Sequence, residues 1–212
     1  MPFWDRTIEL LILTHPGADH ITGLVEVLQR YRVERILTTG QSHDAAIYWE
    51  WRRLIEEKGI EYIVAQLGRQ ITMGPGVQLE VLHPSDTLWG CQNNASMVLR
   101  LTYDNFSLLL TTDIEREAEA YLLARDVKLR STVLKVAHHG SNTSTTPEFL
   151  SEVEPMLAAI SVGADNRFRH PHDEVVDRLR QAVGEDRLFL TSEKGTIAFI
   201  TDGEKLWVRV GR

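Results

Sequence analysis

The chain has 212 residues, 43% apolar and 25% charged, with a net charge of −7, which describes one ordinary globular domain. That charge argues against a broadly basic surface for nucleic acid, although a bound divalent ion would itself supply strong local positive charge. The lone Cys91 excludes an internal disulfide and a thiolate zinc cluster.

Ile8–Leu13 reads as a buried strand, and the polar run His15-Pro16-Gly17-Ala18-Asp19-His20 follows it. Thr22–Tyr31 reads as an amphipathic helix and Val33–Leu37 as a strand. Asp44–Lys58 reads as a helix closed by Gly59, and Ile60–Val64 as a strand. This βαβαβ order predicts parallel strands joined by crossover helices. Val77–Leu82, Ser96–Tyr103 and Phe106–Leu110 read as further strands, the last two joined by a tight turn at Asp104-Asn105. A helix is expected over Ile114–Ala124 and a strand over Val133–Ala137. Thr146–Val153 reads as a helix with Thr145 or Thr146 as N-cap and Pro147 in its first turn. Met156–Val162 is strand-like and Asp173–Val183 helical up to Gly184. Leu188–Thr191, Thr196–Ile200 and Leu206–Val210 read as a closing meander, with Asp202-Gly203 as a turn. Neither a repeat nor a low-complexity stretch interrupts the chain, so a single α/β domain over residues 1–212 is expected. No window approaches the roughly 18 consecutive apolar residues of a membrane span. The opening Met1–Arg6 lacks a signal-peptide profile, so the expected product is soluble.

Four segments carry polar residues that a purely structural role explains poorly. They are His15/Asp19/His20, Thr111-Thr112-Asp113, His138-His139-Gly140-Ser141, and Arg169-His170-Pro171-His172. The first three sit at the C-terminal ends of apolar strands, where open α/β sheets place ligands. A carboxylate such as Asp113 at the end of a buried strand must be solvated, paired or metal-bound. Neutral imidazole and carboxylate together suit a borderline ion such as zinc. Each residue alone has a plainer role: Asp19 or Asp113 as a helix cap, His138-His139 as a turn, His170 as the close of a loop, and His172 as a helix-start residue. Six of the eight histidines fall in these segments, which favours one metal centre over several coincidences. The run Gly140–Thr145 offers backbone N–H groups and hydroxyls, with Ser141 and Asn142 as candidate substrate contacts. Arg167 and Arg169 lie beside His170 as candidate contacts to a phosphate backbone. His83 is a weaker candidate ligand, and Trp49 and Trp51 read as packing residues.

These phrases, with Pro2-Phe3-Trp4-Asp5-Arg6, Asn93-Asn94-Ala95-Ser96-Met97 and Leu134-Lys135-Val136, resemble the metallo-β-lactamase superfamily. More narrowly, they resemble the hydrolase-like domain of ComEC-type DNA-uptake (competence) proteins. The resemblance implies an αββα sandwich of mixed sheets with outer helices and a metal site at one edge. It implies a phosphodiesterase or nuclease-like hydrolase acting on single-stranded or duplex DNA, with one or two divalent ions, zinc or manganese. Carried over by position, Asp19, His20, Asp113 and one of His138 and His139 form one metal site. His15 and position 17 hold a second ion bridged by Asp113. Asp19 takes a proton or hydrogen bond from water, and His170 serves as general acid or phosphate contact. The parent protein is implied to be membrane-embedded.

Three departures matter. Gly17 stands where a second His usually sits, which favours a single ion on the Asp19/His20 side. Thr112 replaces a Gly before Asp113. The family's N-terminal strands are absent, so a fragment with one sheet short is expected. The competing reading is a degenerate module of the same fold that binds nucleic acid or a protein partner without catalysis. Hydrolysis of a small ester or thioester is a third.

Overall fold

The computed structural model describes residues 4–84 and 92–211, so Cys91 lies outside the described residues. The first half contains strands β1 (Thr7–Ile8), β2 (Leu11–Leu13), β3 (Arg32–Val33), β4 (Arg35–Thr38) and β5 (Glu61–Val64), with helices α1 (Ala18–Arg30) and α2 (Ala46–Lys58). Then come β6 (Gln70–Gly74), β7 (Val77–His83), β8 (Val98–Tyr103), β9 (Phe106–Leu110), α3 (Arg116–Leu123) and β10 (Val133–Lys135). The chain continues through α4 (Pro147–Val153), β11 (Leu157–Ile160), α5 (Asp173–Val183), β12 (Leu188–Leu190), α6 (Thr191–Lys194), β13 (Ile197–Thr201) and β14 (Leu206–Val210).

The strands form a parallel three-stranded sheet, β2-β4-β5, and a seven-stranded sheet ordered β12-β11-β10-β9-β8-β7-β6. The large sheet is antiparallel from β6 to β9 and parallel from β9 to β12. Two smaller pairs, β1-β3 and β13-β14, stand beside them.

Strand alternation explains the layering, because successive side chains point to opposite faces. In β4, Ile36 joins Leu13, Ile21, Leu28 and Trp51 in the core under α1 and α2, while Leu37 points the other way. Leu37 meets Val81, Met97 and Leu99 of the large sheet, so this cluster lies between the sheets. On the far face of the large sheet, Val98 and Leu109 pack with Leu122, Phe149 and Leu179 under α3, α4 and α5. The order helices, sheet, sheet, helices is the expected αββα sandwich.

Several elements differ from expectation. The run from Ile8 to Leu13 is split between β1 and β2, which pair in different sheets. The first helix starts at Ala18, not near Ile21, with the Gly17 carbonyl accepting from His20 and Ile21 N–H. Asp19 is therefore in its first turn and not its cap. Asp113 is no cap either, since α3 begins at Arg116 after Glu115. Thr146 is the cap of α4, its hydroxyl accepting from Phe149 N–H at 3.3 Å. The closing segment is not one meander: β12 is the parallel edge of the large sheet, and only β13 and β14 form a hairpin. Trp51 is fully buried, as a packing role requires, but Trp49 is largely exposed.

One turn ties this framework to the polar segments. After β10, His138, His139 and Gly140 all adopt positive φ, at 46°, 55° and 83°. The Gly140 carbonyl accepts from His172 N–H at 2.9 Å, docking the 163–172 loop onto the turn. A Cβ on Gly140 would lie 2.5 Å from Pro171 Cβ. Gly140→Ala should therefore destabilise the chain by about 1–3 kcal/mol or more, read as a lowered urea midpoint at unchanged slope.

Candidate metal centre

The strand ends deliver their polar residues to one point between the layers. Asp19 and His20 arrive on the first turn of α1, Asp113 on the loop after β9, and His139 on the left-handed turn after β10. One ligand atom from each of these four residues lies within 4.8 Å of all the others. His20 Nε2 is 3.0 Å from Asp113 Oδ2 and 3.6 Å from Asp19 Oδ2. His139 Nε2 is 3.5 Å from Asp19 Oδ2 and 3.7 Å from Asp113 Oδ2. Zinc bonds of about 2.0–2.2 Å in a tetrahedron separate ligand atoms by roughly 3.3–3.6 Å. The four groups therefore fit one such ion.

Asp113 is the buried member, at 3% exposure, and its Oδ1 is enclosed with no hydrogen-bond partner among the described residues. Burial opposes its charge, but the His20 hydrogen bond and the Lys135 and His139 charges outweigh that and hold the carboxyl well below the usual range. Lys135 Nζ donates to the Thr112 carbonyl at 3.3 Å, which also accepts from His138 N–H at 2.8 Å. Thr112 itself sits at φ 46°, unusual for a β-branched residue, with its hydroxyl donating to the Met97 carbonyl at 2.8 Å. Asp19 is the exposed member; its contact with His139 holds its carboxyl near pKa 2.

The two adjacent histidines diverge. His139 Nδ1 is 2.6 Å from the Ser161 carbonyl, which can only accept, so in the neutral ring Nε2 keeps the lone pair and faces the carboxylates. The Asp19 carboxylate, opposed by burial, raises the His139 pKa above its ordinary value. His138 Nδ1 instead faces Glu115 Oε1 at 3.4 Å, and Glu115 in turn accepts from the Asn93 amide. His138 thus lines the cleft without joining the group of four.

His15 is also outside that group. Its ring packs 4.1 Å from that of His20, and its Nε2 is 3.9 Å from Asp113 Oδ2. A Cβ at Gly17 would meet His15 Nε2 at 2.6 Å, so the His15 ring fills the space a side chain at 17 would need. Burial, then the neighbouring His20, lowers the His15 pKa to about 4.

A cleft of about 430 Å³ opens onto these groups, lined among others by Asn93, His138, Asn166, Arg167, Phe168 and His170. His170 lines it. Ser141, Asn142 and Arg169 do not line it: Ser141 is buried with its hydroxyl 3.0 Å from that of Thr143, and Arg169 lies outside the lining. Burial, then His138, His172 and His139, lowers the His170 pKa. His83 is far from this role, fully buried with Nε2 2.8 Å from the Asn94 carbonyl. Among the lining residues that sequence reading does not single out are Asn166 and Phe168. The Asp165-Asn166 pair signals only a turn, and a single Phe between arginines carries no periodic signal.

A sequence model of the metallo-beta-lactamase superfamily matches residues 5–164. ComE operon protein 3 of Bacillus subtilis is 31% identical over 199 residues, covering 92% of this chain and 25% of the relative. Competence protein ComA of Neisseria gonorrhoeae is 30% identical over 181 residues, covering 82% and 23%. The chain thus spans about a quarter of the length of the curated relatives it matches. Among solved structures, CmlA of Streptomyces venezuelae, a diiron β-hydroxylase, aligns at TM-score 0.58 and 14% identity over 87% of this chain and 44% of its own. The metallo-beta-lactamase fold protein YhfI of Bacillus subtilis aligns at 0.51 and 13% over 95% and 78%. At such identities the likeness is one of fold.

The depressed His15 pKa has a consequence for stability. Between pH 6.5 and about 4 the unfolded chain takes up a proton on His15 that the folded chain refuses. His15 therefore contributes full stability above pH 6.5 and loses it as the pH falls towards 4. Urea titrations with chelator at pH 7 and 4.5 should show the wild type losing about 1–3 kcal/mol more than H15Q.

Proposed function

The chain belongs to the metallo-β-lactamase superfamily, and from that membership we propose that it is a metal-dependent phosphodiester hydrolase acting on DNA. The observation that carries the proposal is the convergence of Asp19, His20, Asp113 and His139 ligand atoms beside an open cleft that Asp19, Asp113 and His139 help to line. The polymer is suggested by two relatives, Competence protein ComA and Recombination protein 2, the latter from Haemophilus influenzae at 28% identity over 193 residues. Since those relatives are about four times longer, the domain works as one part of a larger, membrane-associated DNA-uptake protein. No described helix is itself long and apolar enough to cross a membrane.

Asp19, His20, Asp113 and His139 would hold one divalent ion, zinc or manganese. When bound, such an ion lowers the pKa of its water to about 7 and polarises a phosphoryl oxygen. The residues around it divide the remaining work. Asp19, the exposed carboxylate with its pKa near 2, stays ionised and orients the attacking water by accepting its hydrogen bond. Asp113, buried and fixed by His20, sets the position of the group. His170, whose pKa is lowered, is neutral at pH 7 and donates one N–H to the phosphate. Arg167 at the cleft rim adds the positive charge that the chain as a whole lacks. Because His15 fills the space beside Gly17, one ion per chain is the expected loading.

Elemental mass spectrometry of chain purified without chelator should find about one zinc or manganese per chain. Asp113→Ala should lose the metal and cut cleavage of a labelled oligonucleotide by about 10³-fold or more. Cleavage and metal content both unchanged in that variant would overturn the mechanism, and a wild type that retains no added metal would favour a non-catalytic binding module.

A further inference from the structure

Most exposed large apolar side chains of the described residues, among them Trp49, Met73, Ile200 and Trp207, lie away from the metal cleft. Phe168 is the exception: it is 60% exposed and lines that cleft. A phenyl ring held in water is unfavourable, and a floppy loop would fold it away. The loop that bears Phe168 is not floppy. The Asn166 side chain bridges it, its Nδ2 donating to the Gly163 and His170 carbonyls at 2.9 and 2.6 Å while its Oδ1 accepts from His170 N–H at 2.9 Å. Downstream, His172 N–H is bound by Gly140, and Pro171 packs where a Gly140 side chain would sit. The ring is therefore presented by a braced scaffold.

Its neighbours show what it is presented for. Phe168 stacks on His170 with planes 24° apart and centroids at 5.8 Å. His170 stacks on His139 with planes 17° apart and centroids at 6.5 Å. Three nearly parallel rings thus step from the cleft rim down to the metal group. The Arg167 guanidinium lies over the Phe168 ring, 4.7 Å from its centre, so the ring already holds one flat cation by a π-contact. A largely exposed aromatic ring with a mobile-headed arginine over it is the chemistry that holds an unpaired nucleobase: the base stacks on the ring in place of the guanidinium, which turns to the phosphate. A base inside a duplex is already stacked on both faces and has no free face to offer.

We propose that Phe168 is a specificity-determining residue on which a nucleobase next to the scissile phosphodiester stacks, so that the cleft takes unpaired strand in preference to duplex. This rests on the phosphodiester reading of the metal group. Polar contacts of Arg167 and His170 fix the backbone, and the ring of Phe168 selects against pairing.

The test is equilibrium binding, by anisotropy, of a fluorescein-labelled 12-nucleotide DNA strand and its duplex to the metal-loaded chain, both DNAs made with hydrolysis-resistant phosphorothioate linkages so that nothing is cleaved. Wild type should favour the single strand. Phe168→Ala should weaken single-strand binding by about five- to a hundredfold, and duplex binding far less. Phe168→Trp should retain the affinity, and Phe168→Leu should resemble Phe168→Ala, because bulk without a π-face does not stack. A strand carrying 2-aminopurine should show its fluorescence quenched by wild type and Phe168→Trp alone. Equal single-strand affinity of wild type and Phe168→Ala, or full retention in Phe168→Leu, overturns the assignment. If that happens while wild type with metal still cleaves the unmodified oligonucleotide, Phe168 is wrong and the hydrolase reading stands. If wild type neither binds nor cleaves either form, both fall.

Discussion

A carboxylate sealed at the end of a β-strand is unstable unless positive charge or hydrogen bonds answer it. Asp113 is sealed in this way, and the structure around it can be followed as a set of answers. His20 approaches from α1, His139 from the turn after β10, and Lys135 from within β10. Each answer constrains its own loop. The Thr112 carbonyl binds both His138 N–H and Lys135 Nζ, so the two loops at the ends of neighbouring parallel strands share one acceptor. Two histidines in the left-handed region and a Thr at φ 46° are conformations that a free loop would abandon. They persist because the sheet beneath fixes both ends of each loop.

The same arrangement explains why the cleft is shaped by the 163–172 loop. Gly140 lacks a side chain where Pro171 presses in, and its carbonyl captures His172. The geometry of the left-handed turn is thereby passed to His170 and Phe168, residues some thirty positions further along the chain. The fold supplies a rigid floor, and the loop supplies the walls of the cleft.

How much of this could be read from the sequence depended on whether the signal was local. Phe106–Leu110, Asp173–Val183 and Leu206–Val210 carry continuous or periodic apolar residues between clear turn signals, and their bounds match the structure. The edge strand Gln70–Gly74 has no such pattern, with Met73 largely exposed, and it went unread. The division of the Ile8–Leu13 run between two sheets depends on pairing partners more than twenty residues away, which no local pattern encodes. In the site, residue type and strand-end placement pointed to Asp19, His20 and Asp113. The choice between His138 and His139 did not follow, because two consecutive left-handed residues send their rings in directions that neither spacing nor composition specifies. Ser141, Asn142 and Arg169 read as cleft residues from their neighbours in sequence, yet the backbone turns them elsewhere. Gly17 read as a lost ligand, and the structure adds that a side chain there would meet the ring of His15.

The four converging side chains come from both halves of the sandwich: Asp19 and His20 ride on the helix that covers the small sheet, while Asp113 and His139 hang from the large one. Any ion they hold is therefore also a clasp between layers. At a hundred times its dissociation constant it would add about 2.7 kcal/mol to the folded state, a substantial share of the roughly 5–15 kcal/mol that keeps a domain together. The susceptibility of this domain to proteolysis would then follow the metal supply around it, rising when the ion is scarce.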